Sequence, residues 1–224
     1  MSTNLTERVV VISGATGALG QEAARQFAGQ GARQALLSSS GEKLEQMAQK
    51  LGLGEEQTLL LAGDLRQPQE ANNAIQAILA RFGRVDILLH LVGGWIGGKL
   101  FIKFDSAQTS QMLDQHLWST FHLVHALTPH LIANGWGRII AVSSPLASRP
   151  AAKMSPYIIA KAAQEALLLS LAQEIKGSGV TANLLQVKTI DVKGEKESNP
   201  TPENATWSTL AEIMAAVMYL CSEE

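Results

Sequence analysis

Two residues four positions apart, Tyr157 and Lys161, hold the densest chemistry in this sequence. On a helix that spacing puts both on one face with adjacent side chains. A free phenol titrates near ~10, too high for efficient proton transfer at neutral pH. An ammonium beside it favours the phenolate by charge proximity, so Lys161 is a neighbour able to bring Tyr157 into range. A serine pair upstream, Ser143 and Ser144, offers a hydroxyl to hold a substrate oxygen. Tyr-x-x-x-Lys is also an ordinary helix-surface spacing, so its meaning depends on what the rest of the chain builds around it.

The other end of the chain supplies that context. Arg8-Val-Val-Val-Ile-Ser13 is a short β-branched run and reads as a buried strand. It leads into Gly14-Ala-Thr-Gly17-Ala-Leu-Gly20, followed by an Ala-rich stretch over 21–30 with apolar residues at helical spacing. Strand, glycine turn and helix in that order place free N–H groups at the helix start, where they face an anion such as a pyrophosphate. Turns also collect glycine without any ligand, so position after the first strand is what favours a dinucleotide.

These residues need a scaffold, and the remaining sequence describes one. Strands are expected near 8–13, 34–38, 58–62, 86–92, 137–143 and 180–187, and helices near 18–30, 42–51, 68–82, 107–133, 155–177 and 207–222. Gly31, Gly52, Gly83, Gly135 and Gly177 fall just after helices, where a left-handed residue ends them. Strand–helix alternation implies a parallel sheet covered on both faces, with ligand sites at the carboxyl ends of strands. The chain has 224 residues and a net charge of −2, sized for one domain over 1–224 with a sizeable core. Nothing basic invites nucleic acid, and no apolar run approaches the ~20 residues that span a bilayer. Met1-Ser-Thr-Asn-Leu-Thr lacks the charged and apolar regions of a leader, and the lone Cys221 excludes an internal disulfide framework. A soluble cytoplasmic protein is expected.

Taken together, Ser13-Gly14-x-x-x-Ala18-x-Gly20, Gly63-Asp64-Leu65, Asp86-Ile-Leu-Leu-His-Leu-Val-Gly93, Val142-Ser-Ser144 and Tyr157-x-x-x-Lys161 resemble, in order and separation, the motifs of the short-chain dehydrogenase/reductase family. The resemblance runs from about residue 7 to the last helix. It implies a Rossmann-type α/β fold: a doubly wound parallel sheet in three α/β/α layers. Six strands are expected, because the chain stops where relatives continue into a seventh, which leaves the sixth as an edge. It implies an oxidoreductase moving a hydride between a nicotinamide cofactor and a carbonyl or alcohol, with Tyr157 as acid/base, Ser144 orienting the oxygen, and Lys161 lowering the phenol's pKa and holding the nicotinamide ribose. Ser143 is the alternative to Ser144. The cofactor set is Gly14, Thr16, Gly17, Leu19, Gly20, Ser38, Ser39, Asp64, Leu65, Val92, Gly93, Tyr157 and Lys161. Relatives also pair through two long helices, here near 107–133 and 155–177, so a homodimer or homotetramer is expected.

Several positions depart from the family pattern. His116 stands where relatives carry a catalytic asparagine, and histidine too can relay protons. His90 and Leu91 replace two asparagines of the turn after the fourth strand. Val187-Lys188 replaces a Pro-Gly that positions the nicotinamide, with Thr189 left to serve. Ser38, Ser39 and Ser40 end the second strand without the acidic residue that grips a free ribose 2′-hydroxyl, so NADP(H), with Lys43 nearby, is favoured over NAD(H). His122 and His125 are three apart but show no third metal ligand. Gly93-Gly-Trp-Ile-Gly-Gly-Lys99 offers a mobile loop with Trp95 as an apolar wall. The polar, Pro-punctuated segment 188–206 is expected to be a flexible substrate loop. These departures keep open a nucleotide sensor or scaffold of the same fold with little activity, and Gly14-x-x-Gly17-x-x-Gly20, which also fits that branch, keeps open a nucleotide-sugar epimerase or dehydratase.

Overall fold

The computed structural model describes residues 5–6 and 8–222. Residues 1–4, which bear on the leader, Glu7, and the last two residues, 223–224, lie outside the described residues. The chain alternates β1 (Val9–Ser13), α1 (Ala18–Gly29), β2 (Arg33–Ser38), α2 (Gly41–Leu51), β3 (Thr58–Ala62), α3 (Pro68–Phe82) and β4 (Ile87–His90). It continues through α4 (Ser106–Leu113), α5 (Ser119–Ala133), β5 (Gly137–Ser143), α6 (Ser155–Glu174) and β6 (Val180–Gln186). The short β7 (Ile190–Asp191), α7 (Glu195–Ser198) and β8 (Ser208–Thr209) precede α8 (Leu210–Leu220).

Six strands form one parallel sheet in the order β3-β2-β1-β4-β5-β6. Side chains alternate across it, as the period of two requires. Val10 and Ile12 pack on one face with Phe27 of α1, Leu44 of α2, and Ile213 and Met214 of α8. Val9 and Val11 pack on the other with Ile75 of α3, Leu127 of α5 and Leu168 of α6. This is the expected Rossmann-type three-layer fold, with β6 as an edge of the sheet among the described residues. Helix ends follow local chemistry: Pro68 opens α3, and Gly52 and Gly83 close α2 and α3 in the left-handed region at φ 63° and 75°.

Strand order reverses between β1 and β4, and the two turns that leave them nearly touch. A Cβ on Gly14 would lie 2.8 Å from the carbonyl carbon of Leu91, and the Gly14 φ of 77° already disfavours any other residue. The crevice at this switch point is where such sheets take ligands.

Two expected elements differ. The helix expected over 107–133 is divided by a π-helical turn, Asp114–Trp118. Just after it, the hydroxyls of Ser119 and Thr120 donate to the carbonyls of Gln115 and His116, at 2.6 and 2.5 Å. Bonding four residues back in this way bends helices. The segment 188–206, expected as a flexible loop, is instead organised by its own polar groups. The Asp191 carboxylate accepts from the backbone of Glu195 and Lys196, each at 2.9 Å. The Asn204 side chain accepts from Thr201 N and donates to the carbonyls of Glu195 and Asn199. β7 then pairs with β8, which ties the segment to the start of α8.

Candidate active site

The crevice contains two adjoining cavities that share Gly14, Gly17, Leu91, Val92 and Gly93. One, about 430 Å³, runs past Thr16, Ser38, Ser39, Asp64 and Leu65. The other, about 380 Å³, runs past Leu19, Gly20, His116, Ser143, Tyr157, Lys161 and Lys188. Every residue assigned to the cofactor from the sequence therefore borders one cavity or the other.

The end of the crevice at the start of α1 can take an anion. The first turn of a helix leaves N–H groups without intrahelical partners. At α1 no side chain caps them, and no acidic residue sits in that turn to compete with a ligand. Gly17, Ala18, Leu19 and Gly20 all border the second cavity. Ser38 bonds Thr16 through their hydroxyls at 3.0 Å, which fixes the rim where a ribose would sit. Ser40 is spent differently: its hydroxyl caps α2 at Lys43 N.

One residue at this end was missed. Arg66 lines the first cavity and holds both Asp64 oxygens at 2.8 Å, a fork on a carboxylate that keeps Asp64 below its ordinary pKa. The signal was present as a basic residue two positions after Asp64, at the carboxyl end of β3.

At the other end, the Ser144 hydroxyl accepts from Leu146 N at the turn that follows β5, near enough to the Tyr157 phenol to favour its ionised form. Ser143, the alternative, borders the cavity with a buried hydroxyl that has no partner among the described residues. Lys161 is buried, and its ammonium donates to the Val142 carbonyl at 2.8 Å and to Gln164 Oε1 at 2.9 Å.

That geometry corrects the expected electrostatics. Burial pushes the Tyr157 phenol up from its ordinary value, opposed by the nearby Ser144 side chain. The Lys161 ammonium is directed at the Val142 carbonyl and Gln164. Burial pulls Lys161 itself down to about 8, against the favourable charge of Glu165.

His116 sits on the π-turn, fully buried, edge-on to Tyr157. Burial, and then the Lys161 charge, push its imidazole down to about 4, so it is neutral at pH 7. Its Nε2 lies 3.0 Å from the Gly94 carbonyl, which can only accept, so Nε2 carries the proton. Nδ1 is left as a buried acceptor without a partner.

His90 is also buried, pushed down to about 3 chiefly by burial, and bonded to Ser13 Oγ at 2.7 Å. It joins β4 to β1 beneath the site. His122 stacks on Trp118 and His125 on Phe121, and no metal-binding cluster occurs among the described residues. Trp95 is exposed and borders neither cavity.

Comparison with known proteins shows what the chain is similar to. A family model described as short chain dehydrogenase matches residues 8–203. A 1,6-dihydroxycyclohexa-2,4-diene-1-carboxylate dehydrogenase of Pseudomonas putida is 34% identical over 183 residues, which are 82% of this chain but 66% of that protein. Nodulation protein G of a Rhizobium species is 29% identical and aligns with 98% of this chain and 91% of its own. Among solved structures, a short chain dehydrogenase from Bacillus anthracis superposes with a TM-score of 0.85 at 25% identity, covering 98% of this chain and 90% of that one. A 3-ketoacyl-(acyl-carrier-protein) reductase from Brucella melitensis, solved with NADH, gives the same TM-score at 21% identity, over 96% and 91% of the two chains. At that identity the likeness is one of fold.

Proposed function

The chain belongs to the short-chain dehydrogenase family, and from that premise we propose that it is an NADP(H)-dependent oxidoreductase that reduces a carbonyl to an alcohol. One observation carries the reading. Tyr157 and Lys161 border one cavity, and the uncapped start of α1 opens into the same space.

The two cavities would take the dinucleotide between them: adenosine past Ser38, Ser39, Asp64 and Leu65, pyrophosphate at Gly14, Thr16, Gly17, Leu19 and Gly20, nicotinamide past Val92, Gly93, Tyr157 and Lys161. When bound, the cofactor supplies the hydride. Ser144 orients the carbonyl oxygen. Tyr157, protonated at neutral pH, gives that oxygen a proton. Lys161 donates to the ribose. Neutral His116, whose buried Nδ1 has no hydrogen-bond partner among the described residues, stands where an asparagine serves in relatives. The serines at the end of β2 exclude no 2′-phosphate, which supports NADP(H).

The whole chain then acts as one nucleotide-binding domain, cytoplasmic, with a small carbonyl or alcohol substrate. No helix among the described residues is long and apolar enough to cross a membrane. Self-association through α5 and α6 is supported by their exposed Phe121, Ile132, Ile159 and Leu169.

A sensor of the same fold is the second reading, favoured by the raised phenol and by Lys188 in place of the glycine. Titration with NADPH by fluorescence, then a screen of aldehydes, ketones and quinones, separates the two. Oxidation of NADPH by at least one class is the expected result. Tight binding with no oxidation across the panel would leave the sensor, and no binding of either dinucleotide would end both readings.

A further inference from the structure

Lys161 ends in three N–H donors and is buried, so each donor needs an acceptor. Val142 O takes one and Gln164 Oε1 takes another. Gln164 is itself fully buried in the middle of α6, on a helix otherwise rich in Ala and Leu. An apolar side chain would fill that site without needing partners. The amide is oriented by what lies behind it. Thr120 Oγ1 gives its only proton to the His116 carbonyl, 2.5 Å away, so it can only accept from Gln164, whose Nε2 lies at 2.7 Å. The amide nitrogen must therefore face Thr120, and its oxygen must face Lys161.

We propose that Gln164, braced by Thr120 against the π-turn, is the positioning residue of Lys161, occupying one ammonium donor so that the donor left over faces the cavity. This rests on the reading that Lys161 serves a bound dinucleotide. The chain of bonds runs Lys161–Gln164–Thr120–His116 and crosses from α6 to the turn that carries the imidazole beside Tyr157. The ammonium and the imidazole are thus set by one network. Around Lys161 the ionisable groups are Glu165 and Tyr157 on α6, His116 on the π-turn and His90 on β4, and only Glu165 favours the charged ammonium.

The test pairs opposite substitutions. Gln164→Glu sets a carboxylate against the ammonium, and Gln164→Leu removes the acceptor. Thr120→Val and Thr120→Ser remove and keep the brace if the Gln164 variants fold poorly. Two readouts serve: NADPH affinity by fluorescence across neutral to alkaline pH, and the ¹³Cε-lysine NMR titration of the unliganded protein. Gln164→Leu should weaken NADPH roughly tenfold at neutral pH, the loss of one hydrogen bond to a charged group. Its lysine titration should move to lower pH, that of Gln164→Glu to higher pH, and Thr120→Val should follow the leucine variant while Thr120→Ser follows wild type. Lysine titrations and NADPH affinities unchanged in all four would overturn the proposal. A wild-type protein that binds neither NADPH nor NADH defeats the proposed function instead, while the NMR titrations still judge the tether.

Discussion

The imidazole of His116 stands edge-on to the phenol of Tyr157, with ring centroids 5.6 Å apart and planes at 84°. Both rings are largely withdrawn from water, and burial moves both titrations toward the neutral form. The site is therefore built around two uncharged rings at neutral pH, with the buried Lys161 ammonium as its cation.

Tyr157→Phe removes the proton donor and leaves the ring. Turnover should fall by roughly two to four orders of magnitude, the range for losing a positioned acid. NADPH affinity by fluorescence should stay within about twofold of wild type, because the phenol proton is used in the reaction and not in holding the cofactor. Comparable turnover in this variant would remove Tyr157 from the chemistry.

His116 gives the fold a pH dependence with a definite sign. Its folded value of about 4 lies below the ~6.5 of a free imidazole, so the unfolded chain binds more protons in that window. Stability is kept above about pH 6.5 and lost as pH falls toward 4, by about 3 kcal/mol from this one group. His90, held near 3, adds to the same loss. In urea unfolding at neutral and acidic pH, His116→Asn should show a smaller acid loss than wild type. An equal loss in both proteins would place the acid sensitivity elsewhere.

Ser38→Asp would restore a carboxylate at the end of β2. It should weaken NADPH by at least about tenfold through repulsion of the 2′-phosphate while NADH binds as well or better. Paired fluorescence titrations read this directly, and parallel weakening of both cofactors would count against NADP(H) selection at this rim.

Lys188 borders the same cavity as the start of α1, and among the described residues its ammonium is bonded to the Thr206 hydroxyl alone, at 3.0 Å. Lys188→Met should weaken NADPH and NADH alike, by roughly threefold to tenfold at low salt, and the difference should shrink as salt rises. Calorimetry with ADP-ribose, which keeps the pyrophosphate and lacks nicotinamide, checks the placement. Undiminished ADP-ribose affinity in the variant would move Lys188 away from the phosphates.

The elements carried by local rules were legible. α3 begins at Pro68 and ends before Gly83, and β3 and β5 run over the expected residues, because a cap, a turn and a β-branched or leucine run each act within a few residues. The residues around the crevice were legible too, since glycine turns and strand ends mark them in the chain. What escaped was set by groups distant in sequence. The direction of the Lys161 ammonium depends on a carbonyl of β5 and on Gln164, whose spacing alone reads as core helix. At the π-turn, the hydroxyls of Ser119 and Thr120 bond backbone carbonyls, a choice that residue type alone does not mark. In 188–206, polarity suggested a disordered run, yet Asp191 and Asn204 spend that polarity on backbone groups of the segment itself.

That last segment alters the expected thermodynamics of ligand entry. A loop that folds only around its ligand loses chain entropy on binding and shows a large negative heat-capacity change. Here much of that entropy is already spent, through the Asp191 and Asn204 bonds, the β7–β8 pairing and the Lys196–Glu212 ion pair at 2.8 Å. The heat capacity of cofactor binding should therefore scale with the surface of two preformed cavities, and binding should be insensitive to the mild denaturant that loosens unstructured lids.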